Sequence, residues 1–247
     1  MGGPSCETRA VLTLVVGNKN YSSWSLRAWL YLEEAGVPFT ELRIPLFQGE
    51  DWRERVRAFH PAGRLPALVD GPLEEGVPAE GAVRVWDSGA IIEYVRATRE
   101  TKCGWPEEPR AMAWAMSLAA EMHGGFLGVR AELPMNVRAS KPGRFEQLSA
   151  KARLEVERIR AMWGECLAAS GGPYLFGEAM TIADVMYAPV ASRFRTYAIE
   201  LAPELEAYVE AIHARPAMKR WVEEAAAEEE HLPFVDALKS DLPPALG

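Results

Sequence analysis

Val11-Leu12-Thr13-Leu14-Val15-Val16-Gly17-Asn18-Lys19-Asn20-Tyr21-Ser22-Ser23-Trp24-Ser25-Leu26-Arg27 joins two periodicities in one short stretch. Val11 to Val16 is a nearly continuous apolar run and reads as a buried strand. Leu26, Trp29 and Leu30 then fall at helical spacing, so a helix is predicted over Ser22 to Ala35. Gly36 supplies a residue that stops it, and Pro38 follows. A strand feeding directly into a helix, with serines at the junction, sets an α/β unit at the start of the chain.

Phe39 to Ile44 alternates as a second strand, Asp51 to Phe59 reads as a short helix and Pro66 to Val69 as a third strand. The Gly- and Glu-rich stretch Asp70 to Gly81 is longer than a tight hairpin needs. Val83 to Trp86 forms a fourth strand, and Asp87 and Ser88 open a helix carried by Ile91, Ile92 and Val95. The predicted order is βαβαββα. Beyond it the strand signals stop. Helices are predicted over Arg110 to Leu133, Arg144 to Ala169, Thr181 to Tyr197, Ala202 to Ala214 and Pro216 to Glu230. The expected organisation is a tail (1–9), an α/β domain (10–97), a Gly/Pro-containing linker (98–109), an all-helical domain (110–230) and a C-terminal tail (231–247).

Composition excludes several functions. The 247 residues are 49% hydrophobic and 25% charged, an ordinary globular balance. Lys plus Arg number 27 against 35 Asp plus Glu, and the net charge of -8 opposes attraction to phosphate backbones or anionic lipid. Neither nucleic acid nor a membrane is an expected partner. Met1 to Cys6 has no basic region and the apolar run Ala10 to Val16 is too short for a signal peptide, so a cytoplasmic location is expected. Cys6, Cys103 and Cys166 are widely spaced, and His60, His123, His213 and His231 contain no ligand-like pair, so no disulfide framework and no metal are expected. Cys166 shares an apolar stripe with Leu148, Ala152, Val156, Ile159 and Trp163 and reads as a core thiol. The acidic run Glu223, Glu224, Glu228, Glu229, Glu230 reads as a solvated helix face.

Three segments carry chemistry. Hydroxyls at the start of the first helix, Ser22 and Ser23, serve as caps or, with the free N–H groups of the turn, stabilise an anion such as a thiolate above the helix end. In His60-Pro61-Ala62-Gly63-Arg64-Leu65-Pro66, a cis bond before Pro66 turns the Leu65 backbone outward, where it can pair with a peptide-like ligand; a trans bond makes Pro66 an ordinary strand-start proline. In Trp86-Asp87-Ser88, a helix end with Ser88 can receive a carboxylate while Asp87 holds an ammonium, which suits the head of an α-amino acid. Farther on, Met112, Met116, Ala119, His123, Phe126 and Arg130 recur at helical spacing. His123 and Arg130 either brace a domain or subunit contact or read a polarised electrophile, with Trp114 and Arg138 as neighbours. Thr181-Ile182-Ala183-Asp184 has the spacing of a capping box, which makes Asp184 structural.

In this order and spacing the three segments resemble those of glutathione transferases, over residues 10 to about 225. Ser22-Ser23-x-Ser25-x-Arg27 is similar to the serine turn of the zeta class, His60-Pro61-x-x-x-Leu65-Pro66 to the family's cis-proline motif, and Asp87-Ser88-x-Ala90-Ile91 to its Glu/Gln-Ser-x-Ala-Ile motif. Thr181 to Asp184 after Gly177 resembles the capping box of the family's second domain. The resemblance implies a thioredoxin-like N-terminal domain followed by a helical bundle, glutathione as co-substrate, a small electrophile as second substrate and a homodimer. It implies the γ-glutamyl end of glutathione at Asp87 and Ser88, and its cysteinyl backbone on Leu65 beside Pro66. It further implies Arg64 near the glycyl carboxylate, and Ser22, with Ser23 as neighbour or substitute, as donor to the sulfur. Tyr21 is a rival donor, and Trp114, His123 and Arg130 face the second substrate. Trp24 stands where the zeta class has Cys, Asp87 is one methylene shorter than the usual residue, and His60 replaces a common Asn. The implied activity is thiol conjugation of the detoxification type, with zeta-like cis-trans isomerisation of an unsaturated diacid and a non-catalytic binding or regulatory role as alternatives.

Overall fold

A computed structural model describes residues 12–238; Cys6 and the first residues of the expected tail and strand lie outside them. β1 (Leu12–Val16) is buried along its whole length, as a central strand must be. β2 (Phe39–Arg43) lies parallel to it, with Leu12 opposite Phe39. A parallel neighbour needs a crossover, and α1 (Ser23–Ala35) supplies it. α1 ends as expected at Gly36, whose φ of 69° places it in the left-handed region open to glycine. On the other side of β1, β3 (Ala67–Asp70) runs antiparallel, with Val15 opposite Ala67.

The stretch after β3 departs from the expected order. It holds a two-residue ribbon, β4 (Leu73–Glu74) and β5 (Val77–Pro78), turned at Glu75 and Gly76 with φ of 50° and 81°. Both turn residues have positive φ, the twist that suits a hairpin, and strands this short leave no periodic signal. β6 (Val83–Trp86) pairs antiparallel with β3 and closes the sheet order β2-β1-β3-β6. α2 (Trp52–Arg57) precedes β3 and α3 (Ser88–Thr98) follows β6, giving the thioredoxin-like arrangement.

The second half is helical: α4 (Pro109–Gly124), α5 (Leu127–Glu132), α6 (Ala150–Ser170), α7 (Ile182–Thr196), α8 (Pro203–Ala214), α9 (Pro216–Ala226) and the short α10 (Pro233–Asp236). The single helix expected to Leu133 is two, because the chain breaks at Gly125 and at Phe126, whose φ is 57°. Arg130 therefore sits on α5, off the axis that carries His123. The helix expected from Arg144 begins with a 3₁₀ turn, Phe145–Gln147, and α6 starts only where Ser149 Oγ accepts from the Ala152 N–H at 3.2 Å. Asp184 is fully buried in the expected capping box, and its carboxylate accepts from the N–H groups of Thr181 at 2.8 Å and Leu175 at 3.0 Å.

α7 is buried on nearly every face and packs against α1 and α4, so it is the pillar on which the two halves meet. Around it Trp163, Tyr187, Phe194 and Tyr208 form one core that continues to Trp29 and Trp221. Cys166 and its predicted stripe belong to that core, and burial pushes the Cys166 and Cys103 thiols up to about 12. A second cluster, including Val15, Tyr21, Phe59 and Leu65, also holds Leu232 and Val235.

The acidic run is more than a solvated face. Glu223 and Glu229 are exposed, but α9 ends at Ala226 and the chain then folds back over the loop after β1. Glu228 accepts from the Lys19 and Asn20 N–H groups at 2.7 and 3.1 Å, Glu230 pairs with Arg43 at 2.8 Å, and Glu224 pairs with the buried Lys19. Charge patterning cannot reveal this, because the partners lie about two hundred residues away in sequence. Among the described residues no helix is long and apolar enough to cross a membrane.

Candidate functional site

The turn between β1 and α1 is held from beneath. The Asn18 carbonyl accepts from the N–H groups of Tyr21 at 3.1 Å and Ser22 at 2.8 Å, while its side-chain oxygen accepts from Leu46 N–H at 2.8 Å. Ser22 is the N-cap of α1. Its hydroxyl accepts from Ser25 N–H at 3.3 Å and donates to Ser25 Oγ at 2.8 Å, which in turn accepts from Gly17 N–H at 3.0 Å. The Ser23 hydroxyl faces α7 and accepts from Arg193 Nη2 at 3.1 Å. Both serines are buried.

Tyr21 points elsewhere. Its hydroxyl lies 3.1 and 3.2 Å from the Asp236 carboxylate oxygens and accepts from Leu232 N–H at 3.2 Å and Arg138 Nη2 at 3.1 Å. Arg138 also donates to the Glu228 and Glu230 carbonyls, so it ties down the C-terminal segment.

The second and third segments take their expected places in the fold. The Leu65–Pro66 bond is cis, and Leu65 stands just outside the ladder, which starts at Ala67. His60 Nδ1 accepts from Ala62 N–H at 3.0 Å, and its ring lies 5.9 Å from that of Trp86. Burial and the neighbouring Arg64 charge lower its pKa. Arg64 itself is exposed. Asp87 has a φ of 78°, and its Oδ1 accepts from Gly89 and Ala90 N–H at 2.8 and 3.3 Å, capping α3. Its Oδ2 lies 3.2 Å from His123 Nε2. Burial works to raise the Asp87 carboxyl, but the hydrogen bond and charge of His123 and the two amides outweigh it, so its pKa lies below the ordinary value. Beside it the Ser88 hydroxyl is fully buried and has no hydrogen-bond partner among the described residues.

Across the domain boundary Trp24 meets His123 edge-on at 4.9 Å between ring centroids, and Arg27 and Arg130 lie over its ring at 4.6 and 4.9 Å. Asp87, His123, Met116, Ile92, Trp105 and Met186 line a mainly apolar cavity of about 430 Å³, a size that accommodates a small organic molecule. Two residues expected to face a second substrate are engaged otherwise. Trp114 packs edge-on against Phe176 at 5.7 Å, about 13 Å along the helix axis from His123 at roughly 1.5 Å per residue. Arg130 is 2% exposed and donates to the carbonyls of Gly125 at 3.0 Å, His123 at 3.3 Å and Met122, so it closes the C-terminal end of α4. Sequence reasoning passed over Arg193 and gave Arg27, which it named in the serine turn, no role; the signal in both is a cation inside a largely apolar helical stretch.

A thioredoxin-like sheet with a cis-proline corner and an acid–serine pair opening α3, docked through α1 on an all-helical partner domain, defines a two-domain class of fold. Residues 21–98 match the glutathione S-transferase N-terminal domain family and residues 146–224 the glutathione S-transferase C-terminal domain family. The chain belongs to the glutathione S-transferase family. It is 25% identical over 221 residues to the glutathione S-transferase-like protein OpS6 of Beauveria bassiana (strain ARSEF 2860), covering 85% of this chain and 93% of that one. It is 26% identical over 191 residues to the disulfide-bond oxidoreductase YfcG of Escherichia coli (strain K12), covering 76% and 85%. Among solved structures it is similar to the theta-class glutathione S-transferase of Xanthomonas axonopodis pv. citri with glutathione bound, at 25% identity and a TM-score of 0.60, covering 86% of this chain and 97% of that one.

Proposed function

We propose that this protein is a glutathione transferase that binds glutathione across Asp87, Ser88 and Leu65 and presents its thiolate to a small electrophile. The observation that carries the reading is the Ser88 hydroxyl, buried at the start of α3 and without a partner among the described residues. A buried polar group left unpaired is costly, and the carboxylate of an α-amino acid head would satisfy it while also meeting the helix N-terminus. The low Asp87 pKa keeps an anion available for the adjacent ammonium. Arg64, exposed beside Leu65, is free of the core and within the same segment as the expected glycyl end.

Lowering a thiol pKa from about 8.5 to about 6.5 requires roughly 2.7 kcal/mol. A charge-assisted hydrogen bond of roughly 1.5 to 3 kcal/mol and a helix end worth roughly 0.3 to 1 kcal/mol supply it. Ser22 is the better placed of the two serines: it caps α1 at the turn, whereas the Ser23 hydroxyl faces α7, where the Arg193 guanidinium holds it. The electrophile enters beside Trp24 and His123 rather than at Trp114 or Arg130, whose side chains serve packing and helix closure. Exposed Val83 and Trp86 on the edge strand β6 and Met116 on α4 support assembly as a homodimer, and two buried free thiols suit a reducing cytoplasm.

The test is calorimetric titration with glutathione, followed by a conjugation assay with a small aromatic electrophile. Binding with turnover is expected, binding without turnover favours the non-catalytic role, and absence of binding overturns the reading.

A further inference from the structure

Arg27 of α1, Arg130 of α5 and Arg193 of α7 are 0%, 2% and 1% exposed where the two domains meet. Each uses its Nε on a backbone carbonyl: Met186 at 3.2 Å, Gly125 at 3.0 Å and Leu133 at 2.9 Å. That leaves four buried nitrogens without a hydrogen-bond partner among the described residues: both Nη atoms of Arg27, Nη1 of Arg130 and Nη1 of Arg193. The three are neighbours, since Trp24 lies under the guanidinium groups of Arg27 and Arg130, and the adjacent Ser23 receives Arg193 Nη2. Burial first, then Arg130 and Arg193, hold Arg27 well below its ordinary pKa, and burial with the Arg130 charge lowers Arg193 to about 9.

No carboxylate among the described residues forms an ion pair with any of them. Asp87, whose charge reaches Arg27, is engaged with His123 and the α3 cap, and Glu155, whose charge reaches Arg130, accepts from Val129 N–H at 2.8 Å. A guanidinium stays charged in proteins, and a buried charge without a counter-charge is strongly unfavourable. Cation–π contact with Trp24 offsets part of that cost but supplies no hydrogen-bond acceptor for the Nη atoms.

We propose that the domain interface holds a buried compact inorganic anion, of chloride size, on the unpaired Nη atoms of Arg27, Arg130 and Arg193. It bridges α1 of the thioredoxin-like domain to α5 and α7 of the helical domain and so fixes their docking. The three side chains are not among the proposed glutathione contacts, which they border at Ser23, held by Arg193, and at Asp87, whose charge reaches Arg27.

The experiment uses the full chain, exchanged from sodium gluconate into sodium chloride at constant ionic strength, with thermal melting as readout. Gluconate is too bulky for an enclosed site. If 100 mM chloride is about tenfold above its dissociation constant, the midpoint rises by about 3 to 6 °C. Arg27→Gln abolishes that rise, while the exposed-surface control Arg110→Gln retains it. Bromide-soaked crystals of the unmodified chain give a second readout that requires no variant to fold, with an anomalous peak expected between the three guanidinium groups. Equal melting in the two salts, a chloride effect unchanged by Arg27→Gln, or bromide bound only elsewhere would each overturn the proposal.

Discussion

Helices α1 and α3 both open directly after a strand with a buried serine in the first turn, yet the two starts are wired differently. At α3 the cap is a carboxylate: Asp87 takes the Gly89 and Ala90 amides, and the Ser88 hydroxyl is left over. At α1 the cap is itself a serine, and both hydroxyls are in use, Ser22 on Ser25 and Ser23 on Arg193. A ligand carboxylate at α3 therefore adds a hydrogen bond without removing one. A thiolate at α1 must draw the Ser22 proton away from Ser25, so activation of the sulfur competes with local structure.

Asp87→Ala breaks the α3 side of the comparison most severely, because it removes both cap and ammonium partner. Glutathione affinity should fall about ten- to hundredfold by calorimetry, or roughly 1.4 to 2.7 kcal/mol, and unfolding stability by about 0.5 to 2 kcal/mol. The folded-state pKa of Asp87 is depressed, so its contribution to stability is complete above the ordinary carboxylate value and lost as pH falls through the lower folded value. Urea melts of wild type and variant should therefore converge in strong acid; a gap that persists there means the carboxylate is not the source.

Ser22→Ala sharpens the α1 side. The thiol pKa in the complex should rise by about one to two units, read from the pH dependence of conjugation, with glutathione affinity little changed. Coincident profiles for S22A and wild type would transfer the donor role to Ser23.

A third capped start serves as reference, since the α7 capping box is closed within the protein, with the Asp184 carboxylate taken up by Thr181 and Leu175. Asp184→Ala should cost about 0.5 to 2 kcal/mol in denaturant unfolding while glutathione affinity stays unchanged at low temperature. An affinity loss without destabilisation would make Asp184 part of the ligand site.

The smallest effect is the most diagnostic. Ser88→Ala removes a hydroxyl that has no partner among the described residues, so the free protein should be as stable as wild type or slightly more so. Glutathione should nevertheless bind about three- to tenfold more weakly, corresponding to roughly 0.6 to 1.4 kcal/mol. Destabilisation of the free protein with unaltered binding would show that Ser88 is not held for a ligand.

Much of the fold was legible because its signals are local. The apolar run ending at Val16, the Leu26-Trp29-Leu30 spacing and the Gly36 stop fix β1 and α1 from neighbouring residues. The Asp87-Ser88 and Thr181-to-Asp184 starts were readable for the same reason, since a cap involves residues two or three apart. The break at Phe126 was missed although Gly124-Gly125 marks it, because the apolar stripe continues through it; Gly125 is extended there and Phe126 has a positive φ. That break moves Arg130 from the face shared with His123 to the carbonyls at the end of α4.

The sequence by itself determined the main strands and helices apart from the Leu73–Pro78 ribbon and the break at Phe126, the places of the cis-proline corner and the two helix starts, and the core position of Cys166. Each depends on periodicity or on contacts within a few positions. Only the tertiary structure decided which hydroxyl remains unpaired, that Tyr21 is committed to Asp236, and that the acidic run clamps the loop at Lys19. It also decided that three arginines from three helices are buried where the two domains meet. Hydrogen-bond satisfaction and charge compensation belong to pairs of groups brought together by packing, and residues separated by more than a hundred positions leave no pattern along a single chain.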